Sequence, residues 1–305
     1  MKIEKVALIG AGAVGAYFIW GLSEKLGEDF SVIADGERKE RLEREGLTIN
    51  GRRYHMHVAR AEEAGIQDLI LVCTKYDALG AAIEGIKKMT GKSTIILSLL
   101  NGVDSERRIA EAVGEERLLY AVMRIASTRN EAGIEFSPEE TAGVFFGEKD
   151  TNKPTERVKA VEELFAAGGI RSVFVENIIS DMWNKYASNI SQNLPQAILG
   201  VGCGAYQDSE HVFFIASALW REVDAVAKAR GISIAPEFIP FKGVEKKARY
   251  STLQDIDAGR HTEIEMFAGE MVRMGKEAGI PVPFCEYTYH TIRAIEERND
   301  GKFEY

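Results

Sequence analysis

Near its start the chain reads Val6-Ala7-Leu8-Ile9-Gly10-Ala11-Gly12-Ala13-Val14-Gly15. A strand-sized apolar run precedes the glycines, and a helical pattern follows them. The spacing Gly-x-Gly-x-x-Gly lets the chain turn tightly, lets backbone N–H groups approach a pyrophosphate and lets the helix pack close to the strand. In this position between strand and helix, the motif predicts a Rossmann-type unit. Its expected cofactor-binding residues are Gly10, Ala11, Gly12, Ala13, Val14 and Gly15.

The end of the second predicted strand, residues 30–34, bears on which dinucleotide is bound. Asp35 stands there, 20 residues after Gly15 (35 minus 15). An acidic side chain at this place accepts hydrogen bonds from the ribose hydroxyls and repels a 2′-phosphate, which favours NAD. Arg38 and Lys39 follow within one turn, and they either hold a 2′-phosphate or belong to a solvated charge run. NADP and NAD both remain open.

The remaining patterns divide the chain into two parts. Apolar runs at residues 69–73 and 94–100, separated by a helical pattern, indicate a mostly parallel sheet covered on both faces. Asn50-Gly51 predicts a hairpin turn. Beyond Glu176 the patterns are helical, at residues 178–193, 211–230, 263–277 and 284–298. We predict an α/β dinucleotide-binding domain over residues 1–176 and an all-α substrate and catalytic domain over residues 177–305.

Composition excludes several classes of protein. The 305 residues carry a formal net charge of −9, so nucleic acid and anionic membrane surfaces are not expected partners. Cys73, Cys203 and Cys285 are too few for a disulfide framework and lack metal-ligand spacing, which predicts reduced thiols and no metal. No apolar run reaches the length of a membrane helix, and no signal peptide is recognised. We therefore expect a cytoplasmic protein.

Two polar segments in the helical half are candidate functional sites. Lys185, Asn189 and Asn193 are spaced by four and would share one helix face, where burial without partners would be costly. Such a stripe suits the lining of a polar cleft. The second segment runs from Ser251 through Gly259-Arg260-His261-Thr262-Glu263. The aromatic residues of this half are interpreted as helix core: Trp183, Phe213, Phe214 and Trp220.

Taken together, these motifs resemble the ketopantoate reductase (2-dehydropantoate 2-reductase) family. The resemblance rests on the glycine motif, Lys75 after the fourth predicted strand, Asn101-Gly102 after the fifth, the Lys-x3-Asn-x3-Asn helix and the Ser-x3-Asp-x4-Arg-x-Thr-Glu segment. It implies a Rossmann-type domain joined to a helical domain. It also implies NAD(P)H-dependent reduction of ketopantoate to pantoate, a step of pantothenate and coenzyme A biosynthesis.

The resemblance assigns roles to individual residues. Lys185 is implied to be the catalytic lysine, which donates a proton to the substrate carbonyl and stabilises the alkoxide, and Glu263 the acid that orients it. The substrate-binding residues implied are Asn189, Asn193 and Ser251. Lys75 and Asn101 are implied to contact the cofactor. The family uses NADPH, so the resemblance implies NADP. Many members have arginine where this chain has Asp35, which makes NAD the alternative.

Two further interpretations stay open. One is a related reductase that acts on another small 2-keto or 3-hydroxy acid. The other is a non-enzymatic NAD(P)-binding redox sensor, against which the presence of Lys185, Asn189, Asn193 and Glu263 argues. An apolar face on the helical half also makes a homodimer an expectation.

Overall fold

The computed structural model describes residues 1–241, 243–303 and 305. These residues form two compact units, Met1–Ile179 and Ser180–Tyr305. No helix within the described ranges is long and apolar enough to cross a bilayer. All three cysteines lie in those ranges and have free thiols.

The first unit is built on an eight-stranded sheet with the order β12-β11-β8-β7-β6-β1-β2-β5. All neighbouring strands are parallel except β11 and β8, which confirms the predicted fold class. The sheet strands are β1 (Val6–Ile9), β2 (Phe30–Ile33), β5 (His57–Ala59), β6 (Gln67–Val72), β7 (Thr90–Ser98), β8 (Leu118–Arg124), β11 (Gly143–Gly147) and β12 (Ser172–Phe174). The helices of this unit are α1 (Ala13–Leu26), α2 (Gly36–Glu45), α3 (Ala61–Ala64), α4 (Leu79–Met89), α5 (Ser105–Val113) and α6 (Glu156–Ala167).

A second, four-stranded sheet has the order β4-β3-β10-β9. Its strands are β3 (Leu47–Ile49), β4 (Arg52–Tyr54), β9 (Ser127–Asn130) and β10 (Gly133–Phe136). The predicted hairpin joins β3 and β4, and Asn50 and Gly51 both have positive φ angles, 48° and 75°. The ring of Phe136 packs edge-on against Tyr17 of α1 at 5.4 Å between centroids. The small sheet therefore covers α1, the helix that follows the glycine motif.

The second unit is helical. It contains α7 (Ile178–Ser188), which begins two residues before the unit does, and α8 (Leu194–Leu199), α9 (Ala205–Asp208), α10 (Glu210–Ala229), α11 (Ser251–Asp257), α12 (Glu270–Ala278) and α13 (Pro283–Asn299). The carboxylate of Glu222 on α10 accepts hydrogen bonds from the backbone N–H groups of Phe284 and Cys285, both at 2.8 Å, and so caps α13. Trp183 and Trp220 are buried as predicted.

Three predictions about this unit are wrong. Residues 178–193 and 263–277 do not form single regular α-helices, because π-helical turns occupy Asn189–Asn193 and Glu265–Gly269. Phe213 and Phe214 are not core residues, since both are exposed at the surface of α10.

Candidate active site

Four of the predicted cofactor positions lie side by side along one edge of the large sheet. Asn101, Lys75, Gly10 and Asp35 each follow the carboxyl end of a strand, β7, β6, β1 and β2 respectively, and these strands are neighbours in that order. In the strand order, β2 lies next to β1 on one side and β6 lies next to β1 on the other, so the direction of the strand order changes at β1. Ligands of open α/β sheets bind at such a switch point. We call this row the nucleotide edge.

The glycines of the nucleotide edge differ in their surroundings. A Cβ atom at Gly10 would lie 2.5 Å from the carbonyl oxygen of Cys73, and one at Gly15 would lie 2.0 Å from that of Gly10. A Cβ at Gly12, the N-cap of α1, would have nothing within 4 Å. Gly10 and Gly15 are thus needed for close packing, while Gly12 leaves open space before the N-terminus of α1. That space and the helix dipole fit a dinucleotide pyrophosphate.

The other motif residues take their places around this space. Ala11 is buried in the core of the unit, whereas Ala13 and Val14 open α1 and are half-buried. These two residues belong to the first turn, whose N–H groups point away from the helix body toward an incoming ligand.

A hydrogen bond joins the loops that carry Lys75 and Asn101. Lys75 is exposed at the end of β6, and the hydroxyl of the next residue, Tyr76, donates to Asp104 at 2.7 Å. Asp104 is buried and also accepts a hydrogen bond from Arg107. The sequence reasoning missed Tyr76 and Asp104, although each lies within three residues of a predicted cofactor contact.

Positive charges gather near the end of β2. Asp35 is exposed at the N-cap of α2, and Arg38 follows in the first turn. Partial burial, followed by the charges of Arg41 and Arg129, lowers the pKa of the Arg38 guanidinium. Lys39 instead pairs with Glu43 at 2.6 Å. Of the two basic residues singled out in the sequence, Arg38 is therefore the one surrounded by like charge.

The predicted polar stripe lies on a continuous rod formed by α7, the first π-helical turn and α8, which we call the polar rod (residues 178–199). Lys185 and Asn189 are half-buried, and Asn193 is 8% exposed. In an α-helix four residues exceed one turn by about 40°. In a π-helical turn, whose hydrogen bonds span five residues, four residues fall short of a turn. The rotation about the helix axis from Lys185 to Asn189 and that from Asn189 to Asn193 therefore have opposite signs. The π-helical turn thus keeps the three side chains closer to one face than a regular α-helix would.

In each π-helical turn one carbonyl accepts a hydrogen bond from a buried tyrosine. The hydroxyl of Tyr186, next to Lys185, donates to the carbonyl of Phe267 at 2.6 Å. The hydroxyl of Tyr206 donates to the carbonyl of Gln192. The first of these bonds ties the polar rod to the segment that begins at Glu263, because Phe267 in turn donates its N–H to the Glu263 carbonyl at 3.2 Å.

Ser251 is tied to the polar rod through its neighbour. The backbone N–H of Tyr250 donates to the side chain of Gln196 at 2.6 Å, and the Tyr250 hydroxyl donates to that of Gln192 at 3.1 Å. Ser251 itself is exposed at the start of α11. The elements that carry Lys185, Asn193, Ser251 and Glu263 are thus joined by hydrogen bonds within four residues of each of these side chains. Gln192 and Gln196 were not predicted, although their i, i+4 spacing on the same helical stretch was a usable signal.

Comparisons with known proteins show the family of the chain. The family described as "Ketopantoate reductase PanE/ApbA" matches residues 6–148, and its C-terminal counterpart, "Ketopantoate reductase PanE/ApbA C terminal", matches residues 177–296. The chain belongs to the ketopantoate reductase family. It is accordingly an oxidoreductase that acts on a CH–OH group, and the resemblance inferred from the motifs is confirmed.

The similarity to individual proteins covers nearly the whole chain. A 2-dehydropantoate 2-reductase of Pyrococcus horikoshii is 28% identical, covering 97% of this chain and 99% of its own. A PanE/ApbA family ketopantoate reductase of Ralstonia eutropha is 26% identical with a TM-score of 0.80, covering 97% and 99%. D-mandelate dehydrogenase in complex with NADH shares the fold, with 22% identity and a TM-score of 0.83 over 96% and 99%.

Proposed function

We propose that this protein reduces ketopantoate to pantoate with a nicotinamide cofactor, as a 2-dehydropantoate 2-reductase of pantothenate and coenzyme A biosynthesis. The observation that carries the proposal is the polar rod, in which Lys185, Asn189 and Asn193 share one face and which is hydrogen-bonded to the segments of Ser251 and Glu263. In this proposal residues 1–176 hold the dinucleotide. Residues 177–305 supply the substrate-binding and catalytic side chains.

The polar side chains would divide the work on the substrate. When bound, the reduced nicotinamide supplies a hydride to the keto carbon. Lys185 would donate a proton to the carbonyl oxygen, and its charge would stabilise the negative charge that develops there. Glu263 would orient the lysine and contact the substrate hydroxyl. Asn189, Asn193 and Ser251 would hold the hydroxyl and carboxylate ends, which fixes the carbonyl for transfer.

The nucleotide edge would bind the cofactor mainly through backbone. Gly10, Gly12 and Gly15 would admit the pyrophosphate beside Ala11, Ala13 and Val14, while Lys75 and Asn101 would contact the phosphate or ribose groups. We propose NADPH as the preferred cofactor. Arg38 has Arg41 and Arg129 as charged neighbours, whose repulsion adds to the larger effect of partial burial in lowering the Arg38 pKa. A 2′-phosphate near Arg38 would offset that repulsion. Asp35 would oppose this choice, so NADH is the alternative.

The deciding experiment is cofactor oxidation with ketopantoate, with NADPH and NADH compared at equal concentrations. We expect turnover with ketopantoate and a higher kcat/KM with NADPH. Arg38→Ala should reduce the NADPH preference, while Lys39→Ala, whose side chain is already paired with Glu43, serves as the matched control. Turnover of another small 2-keto acid, such as the keto acid of mandelate, in place of ketopantoate would change the substrate but keep the reaction. Binding of either cofactor with no turnover on any 2-keto acid would contradict the proposal.

We further propose that the protein is a homodimer. Phe214, on α10, is 57% exposed and Tyr287, on α13, is 70% exposed, with Phe284 close to Phe214 at 6.3 Å between ring centroids. Exposed aromatic clusters of this kind favour an interface. Sedimentation equilibrium should give twice the monomer mass, and Phe214→Glu should shift the species toward monomer. A monomer at micromolar concentration would contradict this.

A further inference from the structure

Glu296 on α13 is a buried carboxylate with three hydrogen-bond donors. Its side chain is 1% exposed. One carboxylate oxygen, Oε1, accepts from both the backbone N–H and the hydroxyl of Thr262, each at 2.7 Å. The other, Oε2, accepts from Arg293 at 2.7 Å. Thr262 is the residue immediately before Glu263.

The bonds of Glu296 bracket Glu263 on both sides. Before Glu263, the N–H of Thr262 is fixed directly by the carboxylate. After it, the N–H of Ile264 donates to the hydroxyl of Thr262 at 3.2 Å, and that same hydroxyl donates to Glu296. The carbonyls of Glu263 and Ile264 accept backbone N–H groups of the second π-helical turn, those of Phe267 and Gly269. The N–H groups of Thr262 and Ile264, on either side of Glu263, are held instead by the bonds to Glu296 and to the Thr262 hydroxyl, so this anchor sets how the chain enters the turn at Glu263.

We propose that Glu296 is a positioning residue, which sets the placement of the Glu263 carboxylate through Thr262. The inference rests on the role proposed for Glu263. A buried carboxylate with donors on both oxygens is held firmly, because leaving any of the donors unpaired is costly. A displacement of about 1 Å at a catalytic group can cost about a hundredfold in rate. An anchor one residue away is close enough to control that displacement.

The alternative role for Glu296 is purely structural, as the partner of Arg293 on its own helix. The two roles separate at Thr262, since Thr262→Val removes the hydroxyl that links Glu296 to Ile264 but leaves the Arg293 pair intact. Glu297 provides the matched control, because it is the next residue on α13, its side chain is 40% exposed, and it pairs with Lys302.

The experiment measures kcat, KM for ketopantoate, the Kd of NADPH and the melting temperature of Glu296→Gln, Thr262→Val, Glu263→Gln and Glu297→Gln. We expect kcat to fall about tenfold to a hundredfold in Glu296→Gln and about threefold to tenfold in Thr262→Val. The Kd of NADPH should stay within about twofold, because the anchor belongs to the helical unit. Glu297→Gln should match the wild type.

The outcomes distinguish the inference from the function on which it rests. Wild-type kcat in folded Glu296→Gln and Thr262→Val, with reduced kcat in Glu263→Gln, would overturn the positioning role alone. If Glu296→Gln does not fold, a wild-type kcat in Thr262→Val overturns it. Wild-type kcat in Glu263→Gln would remove the proposed role of Glu263 and the inference with it.

Discussion

The nucleotide edge and the polar rod are built in different ways. At the nucleotide edge, the shape comes from backbone, since Gly10 and Gly15 leave no room for a Cβ and Gly12 leaves space for a ligand. On the polar rod, the shape comes from side chains, because buried tyrosines donate to one carbonyl of each π-helical turn and glutamines hold the segment before Ser251. A site made of backbone suits a cofactor that many enzymes share. A site made of side chains can be adapted to one substrate.

The largest expected effect is on the polar rod. Lys185→Ala removes the proposed proton donor, and general acid catalysis contributes about 10²–10⁴-fold to a rate. We expect kcat to fall by that factor while the Kd of NADPH stays unchanged, because the cofactor is assigned to the nucleotide edge. Steady-state kinetics and cofactor fluorescence titration measure the two quantities. A loss of cofactor affinity comparable to the loss in kcat would contradict this separation.

At the nucleotide edge, two neighbouring glycines should respond differently. Gly15→Ala places a Cβ 2.0 Å from the carbonyl oxygen of Gly10, a backbone atom that cannot move aside, so unfolding free energy should fall by about 3 kcal/mol or more. Gly12→Ala meets open space, so stability should fall only by the lower N-cap preference of Ala, less than about 1 kcal/mol. Its added methyl group should instead weaken cofactor binding about tenfold, or about 1.4 kcal/mol. Urea unfolding and cofactor titration of both variants test this contrast, and equal destabilisation would refute it.

Glu106, five residues after Asn101, is a buried carboxylate on the helix that follows the nucleotide edge. It lies on the first turn of α5, is 2% exposed, and accepts a hydrogen bond from Ser105 at 2.9 Å, while Oε1 lies buried without a partner. Burial raises the pKa of this carboxyl to about 7. The unfolded chain releases this proton at lower pH than the folded one. Stability is therefore lost as the pH rises from about 4.5 to 7, and the penalty persists above 7.

Glu106→Gln should consequently stabilise the protein at pH 8 but not at pH 4.5. The shift corresponds to about 3 kcal/mol at most, since each pKa unit is worth about 1.4 kcal/mol. Urea unfolding at the two pH values measures it. Glu111→Gln, an exposed position on the same helix, is the control and should show no such difference. An equal effect of Glu106→Gln at both pH values would contradict the assigned cause.

The same contrast explains which features could be predicted from sequence. The parallel sheet, the glycine motif and the Asn50-Gly51 hairpin follow from local patterns, since apolar runs and turn residues are sufficient signals for them. Strands β9 and β10 were not predicted, because they are short and carry polar residues, and they form by pairing with each other and with β3. The π-helical turns have no local signal either. They depend on Tyr206 and Tyr186, which lie far from the carbonyls they satisfy.

The candidate site followed the same rule. Lys185, Asn189 and Asn193 could be proposed from sequence because their spacing is visible within one stretch. Glu296 could not, since it stands 33 residues after Glu263 (296 minus 263) and meets Thr262 only in the folded chain. Residues that support a site from another element are recognised by contact and not by spacing.

The smallest expected effect concerns the tyrosines that complete the π-helical turns. Tyr186→Phe removes the hydroxyl that donates to the buried carbonyl of Phe267, which keeps the backbone N–H of Glu270 as a second donor. The loss should therefore cost only about 0.5–1.5 kcal/mol in unfolding free energy. The aromatic ring stays in place, so packing is largely retained. If the π-helical turns align the polar side chains, kcat of Tyr186→Phe should also fall by a few fold. Tyr206→Phe removes the hydroxyl that donates to the Gln192 carbonyl in the first π-helical turn, so it should raise KM for ketopantoate through the neighbouring Asn193. If both variants lose unfolding free energy equally while kcat and KM stay unchanged, the tyrosines stabilise the helices without aligning the site. The alignment of the side chains on the polar rod would then result from packing alone.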